Sequence, residues 1–135
     1  MKILVCISQA PDTTSRIAFT DEGKTFDSSG VQYIVNPYDE WYALVRGIEL
    51  KEAHGGTVTT MTVGGAVCDP VIRKALAIGA DDAVRMDAEP TDAMQTAQLI
   101  ASYAKDQAFD LILCGKETID HNGSMVPAMI AEMLD

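Results

Sequence analysis

Three segments of the sequence place glycine or small polar residues directly after an apolar, strand-like run. They are Ser8–Asp12, Gly64–Gly65 and Gly115–Ser124. In open parallel sheets, ligands bind in the crevice beyond the carboxyl ends of the strands, where helices begin and their free N–H groups converge. These three segments are therefore the places where the chain is expected to bind a ligand.

The third segment is the most informative, because it brings Asn122, Gly123 and Ser124 to the start of a predicted helix. A helix N-terminus carries about half a positive charge and offers unpaired N–H groups, which suits an anion such as a phosphate. An ordinary strand-to-helix loop with a Ser or Asn cap has the same spacing. Gly64–Gly65 is likewise typical either of a structural turn or of a point where a ribose or phosphate passes close to the backbone.

Other chemistries find little support in the sequence. Neither GxGxxG nor GxxxxGK[ST] occurs, which argues against the common dinucleotide fingerprint and against a P-loop. His54 and His121 are expected on the surface, and a metal site is not expected because no cysteines have ligand spacing. Cys6 and Cys114 lie in or at the end of apolar runs, which favours buried structural thiols. No residue is therefore assigned to catalysis.

Composition narrows the class of protein. A length of 135 residues, 47% of them hydrophobic and 22% charged, predicts a single globular domain over 1–135. The net charge of -10 repels nucleic-acid phosphates and anionic membranes, so neither nucleic-acid binding nor membrane insertion is expected. Three cysteines without CxxC spacing, and a start too short in apolar residues for a leader, predict a reduced, cytoplasmic protein.

Short β-branched runs alternate with helical patterns, which predicts an α/β fold: a Rossmann-like parallel sheet with helices on both faces. The predicted strands are Lys2–Ser8, Thr57–Val63, Ala83–Met86 and Asp110–Cys114. The nearly continuous apolar character of the first and last strands predicts that both are central. Between the first two strands, Arg16–Val35 reads as a hairpin excursion.

Four helices are predicted. The first follows the turn Asn36–Asp39, the second begins with Asp69 as cap and ends at Gly79, and the third begins with Thr91 as cap. A last helix from about Gly123 is expected to bury Met125, Val126, Met129, Ile130, Met133 and Leu134. Since no helix-ending residue precedes its end, we expect the chain to be truncated there.

Four motifs, in order and in register, resemble the electron-transfer flavoprotein β subunit over essentially the whole chain. They are Lys2–Ile7 followed by Pro11–Asp12, Asn36–Glu40, Arg73–Asp81 and Asp110–Asp120. The resemblance implies a fold of the adenine-nucleotide hydrolase type. It also implies a heterodimer with an α subunit that holds most of the redox FAD, and an electron carrier without catalysis of its own that serves acyl-CoA or other dehydrogenases.

In that family the β subunit holds AMP, or a second FAD in electron-bifurcating members. Carried over by position, the nucleotide contacts would be Cys6, Ser8, Asn36, Pro37, Tyr38, Asp39, Val63, Gly64, Gly115, Lys116, Glu117, Thr118, Asp120, Asn122, Gly123, Ser124, Met125 and Val126. The chain departs from the usual family pattern at Gly123–Val126, and it has Ser8–Gln9 where a lysine is common.

Two alternatives fit the same residues. One is a free-standing adenine-nucleotide-binding module of the stress-protein type that acts as a homodimer, and a truncated chain would also favour a homodimer. The other is an adenine-nucleotide hydrolase that turns ATP into AMP and pyrophosphate. All three require the loops at Asn36, Gly64 and Ser124 to meet over a single crevice.

Overall fold

The computed structural model describes residues 1–135, which form eight strands and four α-helices. The strands are β1 (Lys2–Cys6), β2 (Gln9–Pro11), β3 (Phe19–Thr20), β4 (Thr25–Phe26), β5 (Tyr33–Val35), β6 (Thr57–Val63), β7 (Asp82–Met86) and β8 (Leu111–Leu113). The helices are α1 (Asp39–His54), α2 (Asp69–Ile78), α3 (Ala93–Ala104) and α4 (Val126–Leu134). None of these helices has the length and apolarity needed to cross a membrane.

The main sheet has the strand order β7-β6-β1-β8, and every neighbouring pair is parallel. Helices cover both faces of this sheet, so the predicted Rossmann-like α/β architecture is confirmed. β1 is central, as predicted, and Ile3, Leu4 and Val5 are each 0% exposed.

The prediction that the last strand is also central was wrong, because β8 pairs only with β1 and lies at the edge. Its apolar character has another cause. Leu111 and Leu113 pack on one core, whereas Ile112 packs on the other. A continuous apolar run therefore reports that both faces of a strand are covered, and it does not report how many neighbours the strand has.

Two cores lie on opposite faces of the sheet. One forms between the sheet and the first two helices, around Ile3, Val5 and Leu44, and the other lies beneath α3 and α4. The second core contains the small residues Ala97 and Ala104 of α3, and Ala101 on the same helix is also buried. Small side chains let α3 approach the sheet and α4 closely.

The excursion after the first strand is confirmed and has two parts. β3 and β4 form a short antiparallel hairpin around a 3₁₀ turn, and β2 pairs antiparallel with β5. The second pair ends at Val35, and the turn Asn36–Tyr38 leads into α1. The excursion thus returns the chain to the carboxyl end of β1, where Asn36 N–H donates to the Ser8 carbonyl at 2.9 Å.

Two predicted helix caps were wrong. Asp69 does not cap α2, and its carboxylate instead pairs with Arg85 Nε at 3.0 Å. The cap of α3 is Asp92, whose Oδ1 accepts from Gln95 N–H at 2.8 Å, while Thr91 N–H donates to the Gln95 side chain. The ion pair of Asp69 could not be assigned from local spacing, whereas Asp92 followed three positions later by Gln95 is a local capping-box pattern.

The last helix begins later than predicted, at Val126 and not at about Gly123. Met125 was expected on its buried side but is 50% exposed. Among the other predicted residues, Ile130 is buried and packs in the second core, and Met129 and Met133 pack against that core while half-buried. The segment before Val126 is therefore a loop, and its main-chain N–H groups are not used in helical hydrogen bonds.

Asp81, the last residue of the third motif, ties α1 to the sheet. Its carboxylate accepts from Val58 N–H at 2.8 Å and from Lys51 Nζ at 3.0 Å. The hydrogen bond from Val58, followed by the bond and charge of Lys51, holds the pKa of Asp81 below its ordinary value.

Replacing Asp81 by Ala leaves the N–H of fully buried Val58 without an acceptor, so we expect the free energy of unfolding to fall by about 1–2 kcal/mol. Urea unfolding at neutral pH measures the change. Asp106→Ala is the control, since Asp106 is exposed and forms no side-chain hydrogen bond, and it should change stability by less than about 0.5 kcal/mol.

The stability difference between the wild type and Asp81→Ala should also depend on pH. Because the folded-state pKa of Asp81 is depressed, the extra stability of the wild type should be present at neutral pH and disappear below about pH 4. Equal losses for both variants would contradict this role of Asp81.

Candidate functional site

A cleft of ≈ 730 Å³ opens at the carboxyl ends of the parallel strands. Its floor includes Cys6 and Met61, and its walls are the segment after β1, the Gly64–Gly65 turn, the connection after β7 and the loop that leads from β8 to α4. Pockets that hold small ligands usually measure about 300–1,000 Å³. The cleft is therefore large enough for a mononucleotide.

The loop before α4 presents free main-chain donors to this cleft. The N–H groups of Gly123, Ser124, Met125 and Val126 donate to no protein acceptor, and all four residues line the cleft. Ser124 adopts a left-handed conformation at φ 52°, whereas Met125 is in the right-handed helical region. Successive residues that alternate in this way turn their N–H groups toward one point and form an anion-binding concavity.

The turn at Asn36 holds this loop in place. Asn36 is 0% exposed; its Nδ2 donates to the Glu117 carbonyl at 3.1 Å, and its Oδ1 accepts from Ile119 N–H at 2.9 Å. Asp39 adds a further contact, because its Oδ2 accepts from Glu117 N–H at 3.2 Å. These residues therefore position the loop from behind.

Gly115 allows the loop to lie directly against the start of α1. A Cβ atom at this position would approach Glu40 Cγ to 2.6 Å and Glu40 N to 2.8 Å. Both distances are below any normal van der Waals separation, and one involves backbone that cannot rotate away. Glycine is thus required here for close approach.

Acidic side chains dominate the charge around the cleft. Its lining contains five carboxylates against one lysine and one histidine; the acids are Glu40, Glu89, Asp92, Glu117 and Asp120, and the bases are Lys116 and His121. Side-chain charge therefore opposes an anion, and the backbone amides must supply the attraction. The same carboxylates suit the hydrogen-bond donors of a nucleoside, such as ribose hydroxyls and an exocyclic amine.

The hydroxyl of Ser124 is already engaged within the loop, where it donates to Glu117 Oε2 at 2.7 Å. This bond, together with nearby Lys116, lowers the pKa of Glu117 from its ordinary value. Glu117 is thus ionised at neutral pH. An anion in the concavity would rely on the N–H of Ser124 more than on its hydroxyl.

Glu40 is a buried carboxyl beside the floor of the cleft. Its Oε2 accepts from both Ser8 N–H, at 2.6 Å, and Ser8 Oγ, at 2.8 Å. Burial raises the pKa of Glu40 to about 7, against the lowering effect of the two Ser8 bonds, and Asp120 and Asp39 add to the rise. Glu40 therefore changes charge near neutral pH.

The structure brings most of the predicted contact residues to the cleft. Those that line it are Cys6, Ser8, Val63, Gly64, Gly115, Lys116, Glu117, Thr118, Asp120, Gly123, Ser124, Met125 and Val126. Asn36 and Asp39 lie behind the loop, and Asn122 forms its turn by donating its N–H to the Thr118 carbonyl. Pro37 and Tyr38 line a different groove of ≈ 680 Å³ between β5, α1 and α2.

Two parts of the cleft were missed by the sequence reasoning. The connection after β7, from Ala88 to Thr96, forms one wall. The rule used for the other strands, that ligand sites follow the carboxyl ends, would have found it. Glu40 was part of a motif, but its burial and its bonds to Ser8 depend on contacts distant in sequence.

Gly115→Ala tests the close contact between the loop and α1. We expect a loss of about 1–3 kcal/mol in the free energy of unfolding, because the added methyl group must displace backbone. Chemical denaturation measures it. Gly123→Ala is the matched control in the same loop, since a Cβ there meets nothing within 4 Å. If the two variants were equally stable, the tight packing of Gly115 would be refuted.

Glu40→Gln tests the raised pKa of this carboxyl. A carboxyl with a higher pKa in the folded state binds more protons when folded, so its contribution to stability falls as pH rises from about 4.5 to about 7 and then levels off. Relative to the variant, the wild type should lose stability on the order of 3 kcal/mol across this window. Unfolding free energies of both proteins at a series of pH values measure the difference. If the unfolding free energies of the two proteins changed with pH in the same way, the pKa of Glu40 would not be raised.

Sequence comparisons agree with this architecture. Residues 23–135 match the family model for the electron transfer flavoprotein domain. The chain is 42% identical to the electron transfer flavoprotein subunit beta of Bacillus subtilis over 139 residues, covering 100% of this chain and 53% of that protein. It is 36% identical to protein FixA of Azotobacter vinelandii, covering 100% of this chain and 50% of that protein.

A third relative is the acryloyl-CoA reductase electron transfer subunit gamma of Anaerotignum propionicum, which is 33% identical over 99% of this chain and 52% of that protein. The chain thus spans about half the length of the relatives it matches. The family match extends from the excursion through all four helices to the last residue. The chain belongs to the electron transfer flavoprotein family and corresponds to the N-terminal portion of its β subunits.

Proposed function

We propose that this chain is the nucleotide-binding part of an electron-transfer flavoprotein β subunit and that its cleft binds AMP. One observation carries the proposal: the N–H groups of Gly123, Ser124, Met125 and Val126 lie unpaired at the N-terminus of α4 and line the cleft. Gly123, Ser124 and Met125 are exposed, so their N–H groups are open to a ligand, and a phosphate satisfies several at once.

The charge distribution favours a nucleoside monophosphate over a ligand that carries several phosphates. The protein carries a net charge of -10 and the cleft has five carboxylates, so each additional phosphate charge outside the concavity is repelled. The amides and the helix dipole can compensate one phosphate at close range. The acidic lining then faces the donor groups of the adenosine part.

The flavin role follows from family membership and from the names of the relatives. We propose that an α subunit binds most of the FAD that exchanges electrons, and that this chain positions AMP, or a second FAD, in the cleft. FAD supplies the redox chemistry when bound, whereas the residues of this chain bind and orient the nucleotide. Acyl-CoA or other dehydrogenases as electron donors, and a cytoplasmic location, belong to the same proposal.

Ser124→Asp tests the anion site. The new carboxylate, at a position whose positive φ Asp tolerates, would occupy the free amides, so we expect affinity for AMP to fall at least about tenfold. Isothermal titration with AMP measures the affinity. Ser124→Asn has the same size without the charge and should bind AMP more tightly than Ser124→Asp. Equal affinities of the two variants would contradict phosphate binding by the loop.

The nucleotide released on denaturation separates the alternatives. AMP released without hydrolysis supports the proposal, and a yellow flavin released from this chain supports a second FAD. ATP released from a homodimer would favour the free-standing module, and turnover of ATP to AMP and pyrophosphate would favour a hydrolase. Co-purification with a flavin-binding α subunit tests the partner directly.

A further inference from the structure

Two cysteines meet at the floor of the cleft although they are 108 positions apart in sequence. Cα partners in the register of β1 and β8 include Leu4 with Ile112 and Val5 with Leu113, so Cys6 and Cys114 are the next pair along the two strands. Cys6 shares its face with Leu4, and Cys114 shares its face with Ile112, because all four pack in the same core. The two thiols therefore point to the same side of the sheet.

The distance between neighbouring strands permits a disulfide at this point. Adjacent strands lie about 4.8 Å apart, and disulfides join residues whose Cα atoms are about 4.4–6.8 Å apart. Both sulfurs are free thiols here. Cys114 lies just beyond the end of β8, where the ladder no longer restrains the chain, so small adjustments can bring the sulfurs together.

The two thiols differ in access and in acidity. Cys6 is 7% exposed, whereas Cys114 is half-buried, and both line the cleft. The pKa of Cys114 is lowered because the Cys6 thiol donates to it, and the pKa of Cys6 is raised by this interaction and by burial. Redox-sensitive cysteines combine thiolate character, access and a neighbouring resolving thiol.

We propose that Cys6 and Cys114 form a reversible disulfide at the floor of the cleft, with Cys114 oxidised first and Cys6 as the resolving thiol. This modification goes beyond the proposed nucleotide binding, although both thiols line the same cleft. It places a redox-sensitive bond directly before the anion-binding loop.

The chemistry balances with a peroxide as oxidant. The Cys114 thiolate attacks one peroxide oxygen, the O–O bond breaks, and the departing hydroxide takes a proton to become water. The sulfur of Cys6 then attacks the resulting sulfenic acid, the S–O bond breaks, and a second water leaves with the Cys6 proton. The two thiols lose two electrons in total, and hydrogen peroxide is reduced to two waters.

The test treats the purified protein with hydrogen peroxide, blocks the remaining thiols and analyses intact mass and peptides. We expect a loss of two hydrogen atoms, a peptide pair linking Cys6 to Cys114, one remaining alkylated thiol at Cys68, and full reversal by dithiothreitol. Cys68→Ser is the matched control and should form the same bond. A bond that includes Cys68, or a bond between two molecules, would overturn the proposal.

Cys6→Ser tests the order of the two thiols. Without the resolving thiol, Cys114 should remain as sulfenic acid and react with a dimedone probe, which the wild type should not do to a comparable extent. Circular dichroism checks that the variant is folded. If it is not, the peroxide experiment on the wild type still tests whether the disulfide forms. Equal probe labelling of the wild type and the variant, or labelling at Cys68 alone, would show that Cys6 does not resolve Cys114.

Discussion

The side-chain amide of Asn36 is the constraint on which the cleft depends. It is fully buried and uses one donor and one acceptor to grip the main chain of the loop at Glu117 and Ile119. Its own N–H donates to the carbonyl of Ser8, two residues beyond the end of β1. A single residue therefore joins the segment after the central strand, the turn before α1 and the loop before α4. An unpaired amide at this depth would be costly, so the three segments are held together as one unit.

The cleft combines two kinds of polar group that act in opposite directions on a ligand. Its carboxylates repel negative charge, whereas the main-chain N–H groups before α4 attract it. The amides carry no net charge and cannot be titrated, so their attraction is confined to the few ångströms around the helix end. A ligand with one compact anionic end and several hydrogen-bond donors satisfies both. The pKa of Glu40 is raised to about 7, so the charge on the carboxylate side of the cleft depends on pH near neutrality.

Much of this arrangement could be predicted from local sequence. β-branched runs and helical spacing located the strands and helices, and glycine with small polar residues indicated the loop before α4 as a ligand-binding segment, which stays a prediction. The role of Asn36 could not be predicted, because its partners lie more than 80 positions away. The ion pair of Asp69 with Arg85 was missed because Arg85 comes from the next strand, whereas the cap at Asp92 is local, with Gln95 three positions on, and could have been found from the sequence. The burial of Glu40 likewise arises only when α1 packs against the end of β1.

The position of β8 at the edge of the sheet has a consequence for how the loop keeps its shape. Within these residues β8 is three residues long and pairs with β1 alone, so fewer main-chain hydrogen bonds hold it than hold β1. The strand therefore does little to hold the loop that follows it. Its order comes instead from behind, through Asn36 and through Asp39 at the start of the first helix, so a disturbance at that helix would reach the loop before the sheet itself yielded.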